Sequence, residues 1–134
     1  MYLRLPWIRA KYIKELKQQK ANDCFICNNL KPEEIITDFG DFLVIKNKYP
    51  YMVFSEHLLI TPKAHIYEIT GDLKNRVNDV IHLGYEKTHW AFMNIPKNRS
   101  VYHAHWHLVK IRGGWLITLM YKIWSKIPWT TKFE

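Results

Sequence analysis

The sequence predicts an α+β fold in which a long helix packs on an antiparallel sheet, and three observations support this class. Apolar residues alternate with histidines over residues 101–109, which is the pattern of a half-buried strand. Two runs rich in β-branched and apolar residues, 42–47 and 57–61, have strand composition and are predicted to pair antiparallel. A helical periodicity then begins at Asp72.

The chain has 134 residues, of which 48% are hydrophobic and 15% aromatic. This length fits one domain with a sizeable core, and the composition is that of a folded protein. The formal net charge of +8 predicts an anionic partner. Charge alone leaves nucleic acid, phosphorylated metabolites and an acidic membrane surface open.

No signal peptide is predicted in residues 1–20, because basic residues and a proline interrupt any apolar run. The most apolar run, 115–121, falls well short of the roughly 20 residues of a spanning helix. We therefore expect a cytoplasmic protein without a membrane span. In a reducing compartment, Cys24 and Cys27 are expected to form a metal half-site or a redox pair rather than a structural disulfide.

The first predicted element is a basic amphipathic helix over residues 7–21, with Pro6 in its first turn. Its apolar positions are Trp7, Ile8, Tyr12, Ile13 and Leu16, and five arginines and lysines lie among them. A docking helix with a solvated charged face is favoured over a membrane-binding or nucleic-acid-binding helix.

The Cys24-Phe-Ile-Cys27 segment follows directly, and its spacing is that of a zinc knuckle. A tetrahedral site needs two more ligands, and because the chain has no other cysteine these should be histidines. The competing interpretation is a thioredoxin-like redox pair, which requires a βαβ setting that the pattern does not indicate.

The middle of the chain supplies the predicted sheet and helix. The proline of the segment 48–51 interrupts the ladder between the first two strands. Asp72 is the expected cap of a helix that runs to about Thr88, with Leu73, Val77, Val80, Ile81 and Gly84 on one face. Residues 90–94 again have strand character, and 96–100 are expected to form a loop.

The three histidines of the next strand, His103, His105 and His107, are predicted to share its solvent-open face. Neighbours on one face lie roughly 6.6 Å apart and the outer pair roughly 13 Å apart. One zinc ion can therefore bind one or two of them, and at least one imidazole remains for nucleophilic or acid–base chemistry. The alternative is a chance histidine cluster on an exposed strand or a tag-like artefact.

Residues 115–129 are rich in tryptophan and fit either helix or strand. A core or dimer surface is the simpler interpretation, and a stacking platform for nucleic acid is the alternative. The expected organisation is a single domain over 1–134, with an N-terminal helical extension (1–22), a core (23–112) and a C-terminal aromatic segment (113–134).

Three segments together resemble the histidine triad (HIT) superfamily of nucleotide hydrolases and transferases, in particular its zinc-binding, dinucleoside polyphosphate hydrolase-like and phosphorylase-like members. The segments are Asn47-Lys-Tyr-Pro-Tyr51, His57-Leu-Leu-Ile-Thr-Pro-Lys-Ala-His65 and Ser100-Val-Tyr-His-Ala-His-Trp-His-Leu-Val109. The resemblance covers roughly residues 24–109. It implies a HIT-like antiparallel sheet, a nucleotide substrate and a homodimer.

The resemblance also implies a role for each residue of the triad region. His105 would attack the α-phosphorus and form a nucleotidyl-histidine, while His107 and Ser100 would contact the phosphate oxygens. His57 would support the imidazole or a phosphate. A guanidinium at Arg99, where the family usually has glutamine or glycine, is expected to add a charge-assisted phosphate contact.

The remaining implied sites are a metal centre and a nucleoside pocket. Cys24, Cys27, His65 and His103 would hold a structural zinc ion, since four such ligands leave no open position. Asn47 would bind the ribose hydroxyls, with an ordinary turn residue as the alternative, and Phe39 and Phe42 would flank the base. Departures from the family are Glu56, where glycine is usual, and the short glycine-free loop 94–99.

The favoured hypothesis is an enzyme that cleaves or transfers a nucleoside monophosphate unit. A second hypothesis is a non-catalytic zinc module that binds nucleotides or nucleic acid, for which the net charge and the many lysines argue. A third is a metalloenzyme in which two triad histidines hold a catalytic ion. A trapped phosphorylated adduct separates the first from the second, and loss of activity on chelation without unfolding would indicate the third.

Overall fold

The structure is a computed structural model, and it describes residues 4–18, 24–93, 101–111 and 119. The helices in these ranges are α1 (Pro6–Gln18), α2 (Phe25–Asn29) and α3 (Gly71–Gly84), with a 3-10 turn at Pro32–Glu34. The strands are β1 (Ile35–Asp38), β2 (Phe42–Lys46), β3 (Phe54–Pro62), β4 (Trp90–Phe92) and β5 (Trp106–Ile111). The α+β class is therefore confirmed. No helix among the described residues is long and apolar enough to cross a membrane.

The described strands form one antiparallel sheet in the order β1-β2-β3-β5-β4. The predicted pairing of the first two runs is confirmed, with Leu43 opposite Thr61 and Ile45 opposite Leu59. The edge strand β1 was not predicted, because it is short and its register shifts between Ile35 and Thr37. Strand β5 pairs with the middle of β3, where His107 lies opposite Leu59.

The histidine strand is shorter than its alternation predicts, and its histidine face is not open to solvent. Strand β5 begins at Trp106, so residues 101–105 are irregular. They are held by other bonds: the Ala104 amide donates to the Ile66 carbonyl, and Thr61 Oγ1 donates to the Ala104 carbonyl. The exposed fractions are only 0% for His103, 7% for His105 and 3% for His107, because further elements cover this face.

Helix α3 also differs from its predicted bounds at both ends. Thr70, not Asp72, is the N-cap, because its side chain accepts a hydrogen bond from the Leu73 amide. Asp72 lies in the first turn, where the helix dipole stabilises a negative carboxylate. The helix ends at Gly84 rather than near Thr88, since the Tyr85 and Glu86 amides both bond to the Ile81 carbonyl.

One face of the sheet packs against α3 and forms the main core. The alternation of β2, β3 and β5 directs Val44, Ile60 and Leu108 to this side, where all three are completely buried. Leu73, Val77 and Val80 of α3 pack onto them. The long packed helix is therefore confirmed.

The N-terminal helix lies against the segment that joins β2 to β3. The rings of Tyr12 and Tyr49 are 5.1 Å apart, and Lys48 bonds to Glu15 at 2.8 Å. Three lysines of the helix, Lys11, Lys14 and Lys17, are exposed, as the docking interpretation expects. Trp7 is 68% exposed, so its assignment to the packed face was wrong.

Strand β4 is shorter than the predicted run 90–94 and ends at Phe92. The expected loop 96–100 lies outside the described residues. So does the expected C-terminal aromatic segment, 113–134, except for Leu119, which is exposed.

Candidate active site and metal centre

Four side chains that are far apart in sequence form a cluster at the start of α2. The ligand atoms of Cys24, Cys27, His65 and His103 all lie within 4.8 Å of one another. His103 Nδ1 is 3.2 Å from Cys24 Sγ and 3.3 Å from Cys27 Sγ, and His65 Nδ1 is 3.4 Å from Cys27 Sγ. The group is therefore able to hold a metal ion.

The local structure prepares these atoms for such an ion. Ligand atoms around a tetrahedral zinc lie roughly 3.3 to 3.8 Å apart, close to the observed separations. Cys24 is the N-cap of α2 and accepts the Cys27 amide, which directs both sulfurs to one point. His103 Nε2 donates to the Pro62 carbonyl at 2.9 Å, so Nδ1 carries the lone pair that faces the sulfurs.

The charged form of Cys27 is disfavoured in this cluster. Burial of the sulfur and the neighbouring Cys24 raise the pKa of Cys27 to about 11. Burial also lowers the pKa of His103, which keeps its ring neutral as a ligand must be. A divalent cation bound here would stabilise the thiolate forms of the cysteines.

His105 is oriented by the backbone of this same cluster. Its Nδ1 donates to the His103 carbonyl at 2.7 Å, so in the neutral ring the proton is on Nδ1 and Nε2 carries the lone pair. The His105 and His107 rings are 5.2 Å apart and nearly perpendicular. His103 thus belongs to the possible metal-binding group and also provides the carbonyl that fixes the His105 tautomer.

His57 and His107 form an ordered chain of hydrogen bonds beside His105. The Tyr51 amide donates to His57 Nδ1 at 3.1 Å, so the His57 proton is on Nε2. His57 Nε2 then donates to His107 Nδ1 at 2.8 Å. Consequently His107 carries its proton on Nε2.

The pair His57 and His107 is held in its neutral form. Burial is the main reason, and nearby positive groups, including Arg4, add to it: they lower the pKa of His57 to about 4 and that of His107 to about 3. Aromatic rings provide this burial, because Phe92 stacks on His107 at 4.7 Å and Tyr51 at 5.9 Å.

A cavity of about 1070 Å³, its open mouth included, lies between the histidine face of the sheet and α1. His105 and His107 are at one side of it. Its apolar lining comes from Leu16, Ile26, Leu30, Ile45 and Leu59, its tyrosines are Tyr12, Tyr49 and Tyr51, and its basic residues are Arg4, Lys46 and Lys48. The combination of an apolar wall with a few polar groups is typical of a small-molecule site.

Asn47 lines this cavity and also has a local structural role. Its Oδ1 accepts the Tyr49 amide at 2.9 Å, which identifies Nδ2 as the atom that faces the His57 ring at 3.0 to 3.2 Å. The role of Asn47 in the turn is therefore observed, and its contact with ribose hydroxyls stays a prediction.

The structure does not bring every expected substrate residue to the cavity. Phe42 is 3% exposed and belongs to the core under α3, and Phe39 packs against that core. Neither lines the cavity, because both lie on the opposite side of the sheet from His107. Arg99 and Ser100 lie outside the described residues.

Three residues of this site were missed at the level of sequence. Tyr51 and Phe92 enclose His107, and Arg4 reaches the cavity from before α1. Tyr51 belongs to the Asn47–Tyr51 motif and Phe92 to a predicted strand, and neither pattern indicates a contact with His107. Arg4 bonds to a residue 45 positions away, and no local pattern predicts such a contact.

No protein-family model matches the chain, and no curated protein sequence matches it. Among solved structures, the chain is similar to a HIT family hydrolase from Clostridium thermocellum, with a TM-score of 0.49 and 28% sequence identity over 68% of this chain and 92% of that one. It is also similar to a HIT family hydrolase from Legionella pneumophila Philadelphia 1, with a TM-score of 0.49 and 21% identity over 69% of this chain and 97% of the other.

Proposed function

We propose that this chain is a HIT-type nucleotide hydrolase or nucleotidyltransferase that acts at an α-phosphate through a nucleotidyl-histidine on His105. The observation that carries the proposal is the tautomer of His105, whose Nδ1 proton is committed to the His103 carbonyl at 2.7 Å. An imidazole with an unprotonated Nε2 beside a cavity is a nucleophile at neutral pH. The motif resemblance supports the same chemistry.

The first chemical step forms a bond between His105 Nε2 and the α-phosphorus, while the bond from phosphorus to the leaving-group oxygen breaks. The imidazole gains positive charge in this step, and its Nδ1–H donates to the His103 carbonyl, which stabilises that charge. The His107 Nε2–H, fixed by the chain from Tyr51 through His57, donates to a phosphoryl oxygen as negative charge develops there.

The second step returns His105 to its starting state. Water, inorganic phosphate or another acceptor attacks the phosphorus, the bond to His105 Nε2 breaks as the new bond to oxygen forms, and any proton on the attacking oxygen passes to the solvent. The electron pair returns to Nε2, so the ring is again neutral with its proton on Nδ1. The apolar cavity, with Asn47 at its edge, would hold the nucleoside of a dinucleoside polyphosphate or a related nucleotide.

The metal in this proposal is a zinc ion held by Cys24, Cys27, His65 and His103, and its role is structural. The donor set fits zinc, because two sulfurs and two imidazole nitrogens are its usual structural ligands. All four positions are then occupied by protein, and the metal supplies folding energy by tying α2 to the loops before α3 and β5.

The test is to trap the covalent intermediate. Mono-, di- and dinucleoside polyphosphates and nucleotide sugars, labelled at the α-phosphate, are incubated with and without inorganic phosphate and quenched in alkali. We expect an alkali-stable labelled adduct on the wild-type protein and none on His105→Gly, whose turnover should fall by a factor of more than about 100. The exposed His82→Ala on α3 is the matched control.

Binding of nucleotides without adduct or turnover by the wild-type protein would instead support the non-catalytic zinc module. Activity of His105→Gly above about a tenth of the wild-type value would exclude His105 as the nucleophile, because loss of a nucleophile costs orders of magnitude.

A further inference from the structure

Arg4 places a guanidinium at the edge of the cavity from a position just before α1. Its Nε donates to the Tyr49 carbonyl at 3.0 Å, and its Cζ lies 4.2 Å from the Tyr12 ring centre and 4.7 Å from that of Tyr51. These contacts hold the group in place by stacking. Across the ranges that the structure describes, its two terminal amino groups make no hydrogen bond.

Among the residues that the structure describes, no carboxylate pairs with this guanidinium, although acidic groups are near. Glu15 also lines the cavity, but its Oε2 bonds to Lys48 at 2.8 Å. Glu34 bonds through its carboxylate to the Lys31 amide. A partly buried cation beside a cavity is stabilised when an anion binds there, and a planar fork with two free amino groups matches the oxygens of a phosphate.

The position of Arg4 differs from that of the groups that serve the attacked phosphate. Arg4 makes no hydrogen bond with His105 or His107 in the described structure, and it contacts the Tyr51 ring, which also stacks on His107 at 5.9 Å. The positive charge of Arg4 nevertheless reaches this region, because it helps to depress the pKa of both His57 and His107.

We infer that Arg4 is a specificity-determining residue that binds a second phosphate of the substrate, one that His105 does not attack. The inference rests on the proposed nucleotide function and extends it to the substrate class: ligands with more than one phosphate are preferred. The second phosphate comes either from the leaving-group side, as in a polyphosphate, or from the ribose, as in a 2′- or 3′-phosphate.

Helix α1 makes this contact possible by fixing the segment that carries Arg4. The Lys48–Glu15 bond and the Tyr12–Tyr49 ring contact fasten the helix beside the cavity. Arg4 is therefore positioned before a ligand arrives, which reduces the entropy cost of recruiting it.

The test compares ligands that differ only in their phosphates. Binding of AMP, ADP, adenosine 3′,5′-bisphosphate, adenosine 2′,5′-bisphosphate and the guanosine counterparts is measured by calorimetry at low salt, in a His105→Gly background so that no ligand is consumed. We expect Arg4→Met to raise the Kd of ADP or of a bisphosphate by about 10-fold or more, and that of AMP by less than about 3-fold. The ligand that is affected identifies the source of the second phosphate.

Two further variants separate geometry from charge. Arg4→Lys keeps the positive charge but loses the fork, so an intermediate loss is expected. Lys14→Met removes a charge from an exposed position of α1. Lys14 does not line the cavity, so this variant should leave every Kd within about 2-fold of its value with Lys14 intact.

Equal losses for AMP and for the ligands with a second phosphate would overturn the inference, since Arg4 would then only hold α1 in place. No loss for any ligand would overturn it as well. If the protein with Arg4 intact binds no nucleotide at all, the proposed function fails and this inference fails with it. If nucleotides bind but Arg4→Met weakens all of them equally or none of them, only the inference about Arg4 is refuted and the proposed function stands.

Discussion

The buried pair His57 and His107 depends on a definite direction of hydrogen bonding, and this direction has a consequence for stability. The Tyr51 amide donates to His57, and His57 donates to His107, so neither ring can gain a proton without breaking a bond. Burial opposes the charged form of both rings, and so does the positive charge of Arg4. Folding therefore favours the neutral imidazoles.

The first prediction is that His57 makes the protein less stable as the pH falls. Its pKa is about 4 in the folded protein against 6.5 for a free imidazole, so between these values the unfolded chain binds more protons. The free energy of unfolding should be unaffected by His57 above about pH 6.5 and should decrease as the pH falls toward 4. The maximum slope is about 1.4 kcal/mol per pH unit for one proton.

Urea unfolding of the wild type and of His57→Gln at pH 7.5, 6, 5 and 4.5 measures this effect. Protonation of the metal ligands contributes to both proteins, so the difference between the two curves reports His57 together with its effect on the hydrogen-bonded His107. His57→Gln is expected to show the shallower dependence. Parallel curves would mean that His57 is protonated equally in the folded and unfolded chains.

At the level of elements, the cysteine half of the possible metal-binding group could be predicted because its information is local. Two cysteines three positions apart fit the first turn of a short helix, and Cys24 indeed caps α2. The histidines that complete the cluster lie 38 and 76 positions from Cys27, and only the motif resemblance named them in advance. Ligands this distant are brought together by tertiary structure.

Other features of the elements could not be predicted, because tertiary contacts override local pattern. The alternation that ends at Val109 continues through His103, yet β5 begins only at Trp106. His103 and Ala104 are bound instead to Pro62, Thr61 and Ile66. The periodicity identified the faces of the strand correctly but could not show that α1 and the tyrosines would cover one of them.

The second prediction is that α2 is fastened by the metal. Cys24→Ser should contain no zinc and should melt more than about 5 °C below the wild type, because binding energy at a structural site is folding energy. Asn28→Ser, on the exposed side of the same helix, should keep one zinc per chain. His105→Gly should also keep it, since His105 Nδ1 bonds to a carbonyl and not to the sulfur cluster.

Elemental analysis together with thermal melting checks these outcomes. Zinc retained by Cys24→Ser at wild-type melting temperature would rule out the cluster as the metal site. Loss of zinc from His105→Gly would place His105 among the ligands and favour the metalloenzyme hypothesis.

At the level of the whole molecule, the two faces of one sheet have different tasks. The face toward α3 is filled by aliphatic side chains such as Val44, Ile60 and Leu108. The other face carries Leu59 and His107, opposite each other in register, and borders the cavity. Because successive residues of a strand alternate between faces, neighbours in sequence serve stability and binding separately.

The third prediction tests this division with two leucines that lie on opposite faces of adjacent strands. Leu108 is 0% exposed, so Leu108→Ala should lower the free energy of unfolding by about 2 to 5 kcal/mol through lost burial and the cavity left behind. The remaining folded protein should bind nucleotide with an unchanged Kd. Leu59 is only partly buried and lines the cavity, so Leu59→Ala should cost less than about 2 kcal/mol yet weaken nucleotide binding several-fold.

Urea unfolding and calorimetric titration of both variants measure the two effects. The division is refuted if Leu108→Ala weakens binding more than Leu59→Ala does, because the core face would then shape the cavity as strongly as the residues that line it.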